Sequence, residues 1–231
     1  MNYGRKSTAK KEKELLSKGT MIRKKFTVIF AKTLLVCLIA FTVVGGCAGY
    51  GVYKGIVDSA PNIHDIDATP TGYLSTVLDN QGNETATLVA SGSNRVYVTI
   101  DEIPLDLQHA FVAIEDARFY EHNGIDITGI VRAGITGITS GRFSQGASTI
   151  TQQLARGTFL SNEKTLSRKI KEIFIARQLT KKYTKEQIME FYCNSCCFAN
   201  GIYGVEDASQ KYFGRSVSDL SLSETAYICA I

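Results

Sequence analysis

The centre of the chain contains the stretch GASTITQQLAR, residues 146–156. Its small residues predict a loop that leads into a helix over residues 149–159. The first turn of such a helix presents backbone N–H groups without intrahelical partners, and Ser148 and Thr149 add hydroxyls there. We expect this helix start to suit an anionic ligand, with Arg156 adding a positive charge two turns further on. As an isolated motif the signal is weak, because Ser and Thr begin many helices.

A second polar cluster lies upstream and reads IEDARFYEHNG, residues 114–124. Apolar residues three and four apart, beginning at Leu107 and Phe111, predict a helix over residues 105–120. Glu115 would lie beside the apolar stripe of that helix, so we expect its carboxylate to be partly buried at the edge of the core. Partial burial makes a carboxylate a stronger base, which suits general base catalysis. An acidic, solvated helix end is the alternative that spacing alone favours.

A third cluster, RKIKE, starts at Arg168 and belongs to a helix predicted over residues 162–182. Helical geometry would point Arg168 and Glu172 away from the apolar stripe that begins at Leu166, with Lys169 beside them. An ordinary ion pair on a solvated helix face is the alternative, and a single pair of that kind contributes little to stability.

The remaining body shows further helix signals. Two capping boxes, TKEQ at residues 184–187 and SLSE at residues 221–224, predict helices over residues 185–193 and 222–230. The sequence contains no internal repeat and no low-complexity stretch. We therefore predict a mainly α fold for the body.

Short strand signals precede the helical body. The segments YLSTVLD, residues 73–79, and TATLVA, residues 85–90, flank the turn signal NQGN. A third segment, RVYVTI at residues 95–100, follows a further turn signal. Strands of this number and length have too few residues for a core of their own. We therefore predict a short β-containing stalk over residues 54–93.

Basic residues concentrate at the N-terminus of the 231-residue chain. Residues 1–32 hold ten Lys and Arg against Glu12 and Glu14, a net charge of +8. The remainder carries 16 basic and 20 acidic residues, a net charge of −4. A nucleic-acid-binding body would need positive charge clustered in its folded part, so the composition argues against a nucleic-acid partner. We predict that residues 1–32 form a basic cytoplasmic tail.

An uncharged segment of 21 residues, 33–53, follows the basic tail. As a helix that rises about 1.5 Å per residue, it would cross a hydrocarbon layer of about 30 Å. Lys and Arg before the segment, with only Lys54 close after it, place the N-terminus in the cytoplasm and the body outside. We predict a single-pass protein of the cell membrane. A cleavable signal peptide is the alternative, although the run is long and lacks a clear small-residue cleavage site.

Six cysteines are present, and Cys37 and Cys47 lie in the predicted span. Cys193, Cys196 and Cys197 form a C-x-x-C-C motif. Since no second Cys or His pair follows at zinc-ligand spacing, this motif does not indicate a metal site. Unpaired thiols outside the cell tend to oxidise, so either a disulfide forms that the sequence does not assign or the surroundings are reducing.

The three clusters occur in a fixed order: E-D-x-x-F-x-x-H-x-G, then G-x-S-T-I-T-Q-Q-L, then R-K-x-x-E. This order resembles the family 51 glycosyltransferases, the peptidoglycan-polymerising domains of class A penicillin-binding proteins and their monofunctional relatives. The resemblance covers residues 94–231 and implies a mainly α, lysozyme-like glycosyltransferase domain after the transmembrane helix and the stalk. It also implies that this domain is incomplete at its C-terminus and that no transpeptidase domain is present in this chain.

The resemblance also implies roles for individual residues. Glu115 would be the base that takes the proton from the acceptor sugar's 4-hydroxyl, and Glu172 would be a second carboxylate at the donor diphosphate. A divalent cation, Mg or Mn, would assist near Glu172, and no organic cofactor is expected. Asp116, Phe119 and His122 would support the base. The other residues would line the sugar-phosphate cleft or bind the diphosphate, namely Ser148, Thr149, Gln152, Gln153, Arg156, Arg168 and Lys169.

The implied reaction polymerises lipid II into glycan strands by inverting attack at the donor's anomeric carbon, with release of undecaprenyl pyrophosphate. A pyrophosphate leaves as a stable anion, so it needs positive charge more than it needs a proton donor. The expected partners are lipid II, the nascent glycan strand and the membrane, together with cell-wall synthesis and division proteins. Ile135, Ile138 and Phe143 would form an apolar patch against the bilayer, or would face the core.

Two other functions stay open on the residues alone. A lysozyme-like muramidase would use a protonated carboxylic acid and would need no pyrophosphate-binding cations. A catalytically silent, membrane-anchored protein that binds or assembles the cell wall would need neither carboxylate.

Overall fold

The computed structural model describes most of the chain, namely residues 4–15, 18–61, 67–70, 75–88, 95–141, 146–161 and 163–231. The chain divides into two compact units, Met1–Gly55 and Ile56–Ile231. The predicted membrane-patch residue Phe143 lies outside the described residues.

The first unit contains helix α1, Arg5–Leu15, and most of helix α2, Lys18–Asp58. Within α2 the segment Met21–Asp58 is long and apolar enough to cross a membrane, with a mean hydropathy of 2.4 in its most apolar window. None of that window is buried, as expected of a helix that faces lipid. This candidate span is longer than the predicted segment 33–53, because the helix continues on both sides of the uncharged run.

The second unit contains a two-stranded antiparallel hairpin near its start, β1 Ser75–Leu78 and β2 Glu84–Leu88. The carboxylate of Asp79 closes the turn by accepting from the N–H of Asn83 at 2.8 Å. Gly82 adopts a φ of +86° there, a conformation that glycine reaches without strain. The predicted pairing across the NQGN turn is confirmed.

Most of the second unit is helical. Its helices are α3 Leu105–Glu115, α4 Ile127–Ser140, α5 Ile150–Phe159, α6 Leu166–Lys182, α7 Lys185–Ser195, α8 Val205–Phe213 and α9 Leu222–Ala230. A second antiparallel pair and two one-turn 3-10 helices complete it: β3 Cys197–Phe198, β4 Ile202–Tyr203, Ala199–Gly201 and Val217–Asp219. The predicted mainly α fold is confirmed.

Residues 95–100 do not form the third predicted strand: Arg95 makes an isolated β-bridge, and the segment is hydrogen-bonded to side chains of α7. The side chain of Asn194 takes the place of a strand partner, because it accepts from the N–H of Val98 at 2.9 Å and donates to the carbonyl of Val98 at 2.8 Å. Glu190, one turn earlier on α7, accepts from another N–H of the segment at 2.7 Å. Helix side chains thus satisfy backbone groups that strand pairing would otherwise use.

Helix α5 lies at the centre of the body and packs against α6 and α7. Burial of each large aliphatic side chain there contributes about 1.5–3 kcal/mol. Capping boxes start α5, α7 and α9, which confirms the two predicted boxes at 184–187 and 221–224. The fully buried aliphatic residues of the three packed helices are Ile150, Leu154, Ile175, Leu179 and Ile188.

Helix α3 ends at Glu115, so the predicted helix over residues 105–120 was too long. Asp116 leaves the helix with φ −157° and ψ 71°. Its buried carboxylate accepts from the N–H of Ile150 at 3.1 Å and lies 2.8 Å from Nε2 of His122. These bonds outside α3 compete with its continuation.

Helices α4 and α8 were not predicted, and α6 begins later than its predicted start at residue 162. Three glycines lie within α4, and glycine disfavours a helix by about 1 kcal/mol relative to alanine. The cap of α4 is Asp126, which accepts from the N–H of Gly129 at 2.8 Å and pairs with Arg118. The cap and the Arg118 pair therefore help to offset the weak local propensity of α4.

The bonds of Asn194 give a test of the fold. Asn194→Leu would leave the buried N–H and carbonyl of Val98 without partners, so we expect the free energy of unfolding to fall by about 2–6 kcal/mol, at about 1–3 kcal/mol for each of the two unsatisfied groups. Urea denaturation followed by circular dichroism measures the loss. The same change at the exposed turn residue Asn80 is the control and should cost less than about 0.5 kcal/mol. Equal effects at the two positions would contradict the assigned role.

Candidate active site

Glu115 is the last residue of α3, and its side chain is exposed, so the prediction of partial burial was wrong. The helix ends here, and the carboxylate therefore extends beyond the core edge. Nε2 of Gln153, on α5, donates to Oε2 of Glu115 at 2.6 Å and fixes the carboxylate's orientation. Glu115 lines a cavity of 320 Å³ whose other polar walls include Asp116, Arg118, Asp126, Arg132 and Ser148.

The residues predicted to support the base form one buried network. The carboxylate of Asp116 lies 2.8 and 3.0 Å from Nε2 of His122 and is only 6% exposed. Phe119 is fully buried and contacts the ammonium of Lys185, which lies 4.3 Å from its ring centroid. These supporting groups fix the turn that follows Glu115, and Asp116 also lines the cavity.

Lys185 was missed by the sequence analysis. Its Nζ donates to the carbonyls of Phe119 and His122, the latter at 2.7 Å. Burial lowers the pKa of Lys185, while the nearby carboxylate of Asp116 raises it. The position of Lys185 in the sequence was itself a signal. A cation in the first turn of a helix is disfavoured by the helix dipole, so its presence indicates a stabilising contact elsewhere.

Two N–H groups at the start of α5 already have partners within the protein, so they are not available to the anionic ligand that was expected there. The N–H of Ile150 donates to Asp116, and the N–H of Gln152 donates to Oγ1 of Thr149 at 3.1 Å. Thr149 and Gln152 are each 1% exposed, so they hold the helix start and do not line the cleft as predicted. Ser148 is partly exposed and lines the cavity of Glu115.

Glu172 is 1% exposed and belongs to the buried face of α6 with Ile175 and Leu179. The predicted apolar stripe was wrong at its first residue, since Leu166 is 78% exposed, whereas Leu179, which also belonged to that stripe, is buried. Helix α5 packs against α6 and thereby determines which face of α6 is buried. The spacing of apolar residues on α6 did not predict that face. The alternative of a solvated ion pair is also excluded, because the carboxylate is buried.

Two cations share the carboxylate of Glu172. Nη1 of Arg168 lies 2.5 Å from Oε2, and the ammonium of Lys169 contacts Oε1. The same ammonium donates to Oγ of Ser148 at 2.8 Å. A single negative charge held between two positive charges leaves this end of the site with net positive charge, which suits an anionic group.

The three clusters meet through Ser148 and Gln153. Ser148 joins the cavity of Glu115 to Lys169, and Gln153 joins α5 to Glu115 itself. Arg156 is exposed and lines a second cavity, of 360 Å³, together with Glu115 and Gln153. The order of the motifs in the sequence thus corresponds to one connected site.

The mainly helical body and its carboxylate-and-cation cleft define the class that the resemblance implied, a lysozyme-like glycosyltransferase domain. The chain belongs to the transglycosylase family, whose model matches residues 81–231. That match begins within the predicted stalk, residues 54–93. The division into a tail, a span, a stalk and a domain from residue 94 stays a prediction.

Curated relatives are penicillin-binding proteins. The chain is 39% identical over 218 residues to penicillin-binding protein 4 of Bacillus subtilis, and the match covers 92% of this chain and 34% of the relative. It is 40% identical over 204 residues to penicillin-binding protein 1A of Escherichia coli, which covers 87% of this chain and 24% of the relative. The chain therefore spans about a third or less of the length of these relatives.

The buried charge of Glu172 gives a second test. Glu172→Gln would leave Arg168 and Lys169 without the carboxylate between them, so we expect the free energy of unfolding to fall by about 3 kcal/mol, as when one partner of a buried ion pair is removed. The control is Glu163→Gln, which changes an exposed carboxylate shortly before α6 and should cost less than about 0.5 kcal/mol. Thermal unfolding of both variants measures the difference, and a Glu172 variant as stable as the Glu163 variant would exclude a structural role for this charge.

Proposed function

We propose that this protein is a peptidoglycan glycosyltransferase that polymerises lipid II into glycan strands. The observation that carries the proposal is one cavity lined both by the exposed carboxylate of Glu115 and by Ser148, whose hydroxyl is bonded to Lys169. A base in the cavity and a cation joined to the cavity wall through Ser148 can act on the two ends of a displacement, the attacking hydroxyl and the leaving group. Membership of the transglycosylase family and the names of the relatives support the proposal.

In the proposed reaction Glu115 takes the proton from the 4-hydroxyl of the acceptor sugar. The acceptor oxygen then attacks the donor's anomeric carbon on the face opposite the diphosphate. The bond to the diphosphate breaks, the configuration inverts, and undecaprenyl pyrophosphate is released. The hydrogen bond from Gln153 fixes the base in one orientation, which reduces the reorganisation needed when the acceptor binds.

The leaving diphosphate would be neutralised by the cations at the other end of the site. Glu172 is buried, so its proposed role is to hold Arg168 and Lys169 in place and not to touch the substrate. Its single charge leaves a positive surplus for the diphosphate. Arg156 lines the neighbouring cavity and would add a further positive charge beside Glu115.

The residues near Glu172 do not fit the divalent cation that the resemblance implied. Both oxygens of this carboxylate are already engaged by Arg168 and Lys169. Among the residues that the structure describes, no three His, Cys, Asp or Glu side chains converge as metal ligands. A hard cation such as Mg²⁺ needs several free oxygen ligands, so no step of the proposed reaction uses one.

The two alternative functions have less support. A muramidase needs a carboxylic acid that stays protonated, and such an acid typically lies in an apolar pocket. Glu115 is instead exposed and accepts from an amide N–H, while Arg168 and Lys169 have no task in hydrolysis of a neutral glycan. A silent cell-wall binder would not need the base, so Glu115→Gln would leave its binding to the cell wall unchanged.

We also propose that α4 lies against the outer face of the membrane. Its Ile127, Val131, Ile135 and Ile138 are 71%, 54%, 60% and 78% exposed, so the alternative of a core role for Ile135 and Ile138 is disfavoured. Such an apolar face suits the boundary between headgroups and acyl chains. With a single span and a cytoplasmic N-terminus, the body would stand outside the cell, where lipid II is polymerised. Cell-wall synthesis and division proteins stay predicted partners.

Glu115→Gln tests the base. We expect polymerisation of fluorescent lipid II by the full-length protein to fall at least about 100-fold, the lower end of general base catalysis. The melting temperature should not change, because the side chain is exposed. Glu121→Gln alters a nearby exposed glutamate and should retain full activity. A Glu115 variant that polymerises lipid II at the rate of the Glu121 variant would refute the assignment.

Ile135→Ser with Ile138→Ser tests the membrane face of α4. We expect polymerisation in lipid vesicles to fall about tenfold, since each lost aliphatic contact with the interface weakens binding by about 1 kcal/mol or less. Activity in detergent micelles should be unchanged. Leu222→Ser removes an equally exposed side chain, 69% exposed on α9, and is the control. Equal losses in vesicles and micelles would contradict the membrane role.

A further inference from the structure

The second cavity beside Glu115 contains three thiols that the proposed reaction does not use. All six cysteines are free, so no disulfide removes these thiols. The cavity has a volume of 360 Å³, within the range of about 300–1,000 Å³ that is typical of small-molecule sites. Its polar and thiol walls include Glu115, Gln153, Arg156, Cys196, Cys197 and Cys229.

The three thiols differ in their access to solvent. Cys197 is exposed and lines the cavity, and its thiol is hydrogen-bonded to Tyr203 and to the carbonyl of Phe198, whereas Cys196 and Cys229 are partly buried. Burial raises the pKa of Cys196 to about 12 and the pKa of Cys229 to about 11, and the charge of Glu115 contributes to both shifts. Because the thiolate is the attacking form, these two inner thiols react slowly at neutral pH.

We propose that this cavity is a covalent modification site, at which a low-molecular-weight disulfide forms a mixed disulfide with Cys197 and closes the cavity next to Glu115. Glutathione disulfide is the probe we choose, because Arg156 on the cavity wall can pair with one of its carboxylates and Glu115 on the same wall can pair with one of its ammonium groups. The consequence for polymerisation depends on the proposed function, whereas the modification itself does not.

The exchange is balanced without a further oxidant. Cys197 loses its proton to solvent, and its thiolate attacks one sulfur of glutathione disulfide. The sulfur–sulfur bond of glutathione disulfide breaks as the new bond forms. One glutathione leaves as a thiolate and takes up a proton. One disulfide is consumed and one is made, so a thiol reductant reverses the reaction.

The size of the adduct decides whether the cavity is blocked. A glutathionyl group has about the volume that a site of this size accepts, whereas a methylthio group adds only two heavy atoms. A glutathionyl group on Cys197 would fill or cover the space beside Glu115 and exclude the sugar. A methylthio group on the same sulfur would leave most of the 360 Å³ open.

The experiment treats the full-length protein with glutathione disulfide at neutral pH and locates the adduct by peptide mass spectrometry. We expect one glutathionyl group on Cys197, a loss of lipid II polymerisation of about tenfold or more, and recovery with dithiothreitol. Methyl methanethiosulfonate, which attaches only a methylthio group, should leave activity within about twofold. Cys197→Ser should be unaffected by glutathione disulfide, and Cys47→Ser, in the span, should behave like the unaltered protein.

A second measurement reads occupancy of the cavity without using activity. N-ethylmaleimide at about pH 9.5 labels Cys229, and we expect the glutathionyl group on Cys197 to slow this labelling about tenfold. Cys197→Ser, treated in the same way, should show no slowing. Adduct at Cys197 with undiminished labelling of Cys229, or no adduct at Cys197, would overturn the proposed site. If Cys229 is shielded but the untreated protein does not polymerise lipid II, the proposed function fails and the site stands.

Discussion

The buried carboxylate of Asp116 holds the end of α3, where the base lies, against the start of α5. It ends α3 directly after Glu115 and accepts from the first N–H of α5, while His122 contacts its other side. The position of the base and the start of the helix that carries Gln153 therefore depend on one side chain. Loss of a hydrogen bond to a buried carboxylate is costly, so Asp116 and its partners resist displacement. The base beside them is therefore held in place, as general base catalysis requires.

A second buried carboxylate organises the opposite end of the site. Glu172 keeps two cations close together although they repel each other, and it does so from a position that solvent does not reach. Burial weakens screening by water, so the surplus positive charge acts more strongly on an anion in the cleft. The proposed division of labour follows from this difference in exposure. The exposed carboxylate handles a proton, and the buried one positions the charges for the diphosphate.

Much of the fold followed from local patterns. The apolar helix, both capping boxes, the first hairpin and the mainly α body were predicted, since each depends on residues close together in the sequence. The glycine-containing α4 was missed because its three glycines weaken the local helix signal, although its cap at Asp126 lies close by in the sequence. The segment 95–100 was predicted as a strand from its own residues. Its actual partner is the side chain of Asn194, which is 96 residues from Val98 and gives no local signal.

The sequence by itself determined the kinds of residue in the site and their order, and hence the family to which the chain belongs. Only the tertiary structure decided which of these side chains face a cavity. It buried Glu172, Thr149 and Gln152, exposed Glu115, and brought Ser148 to Lys169. The physical reason is that helical spacing defines the faces of one helix, whereas burial and charge pairing depend on the neighbour that packs against each face, and residues distant in the sequence supply that neighbour.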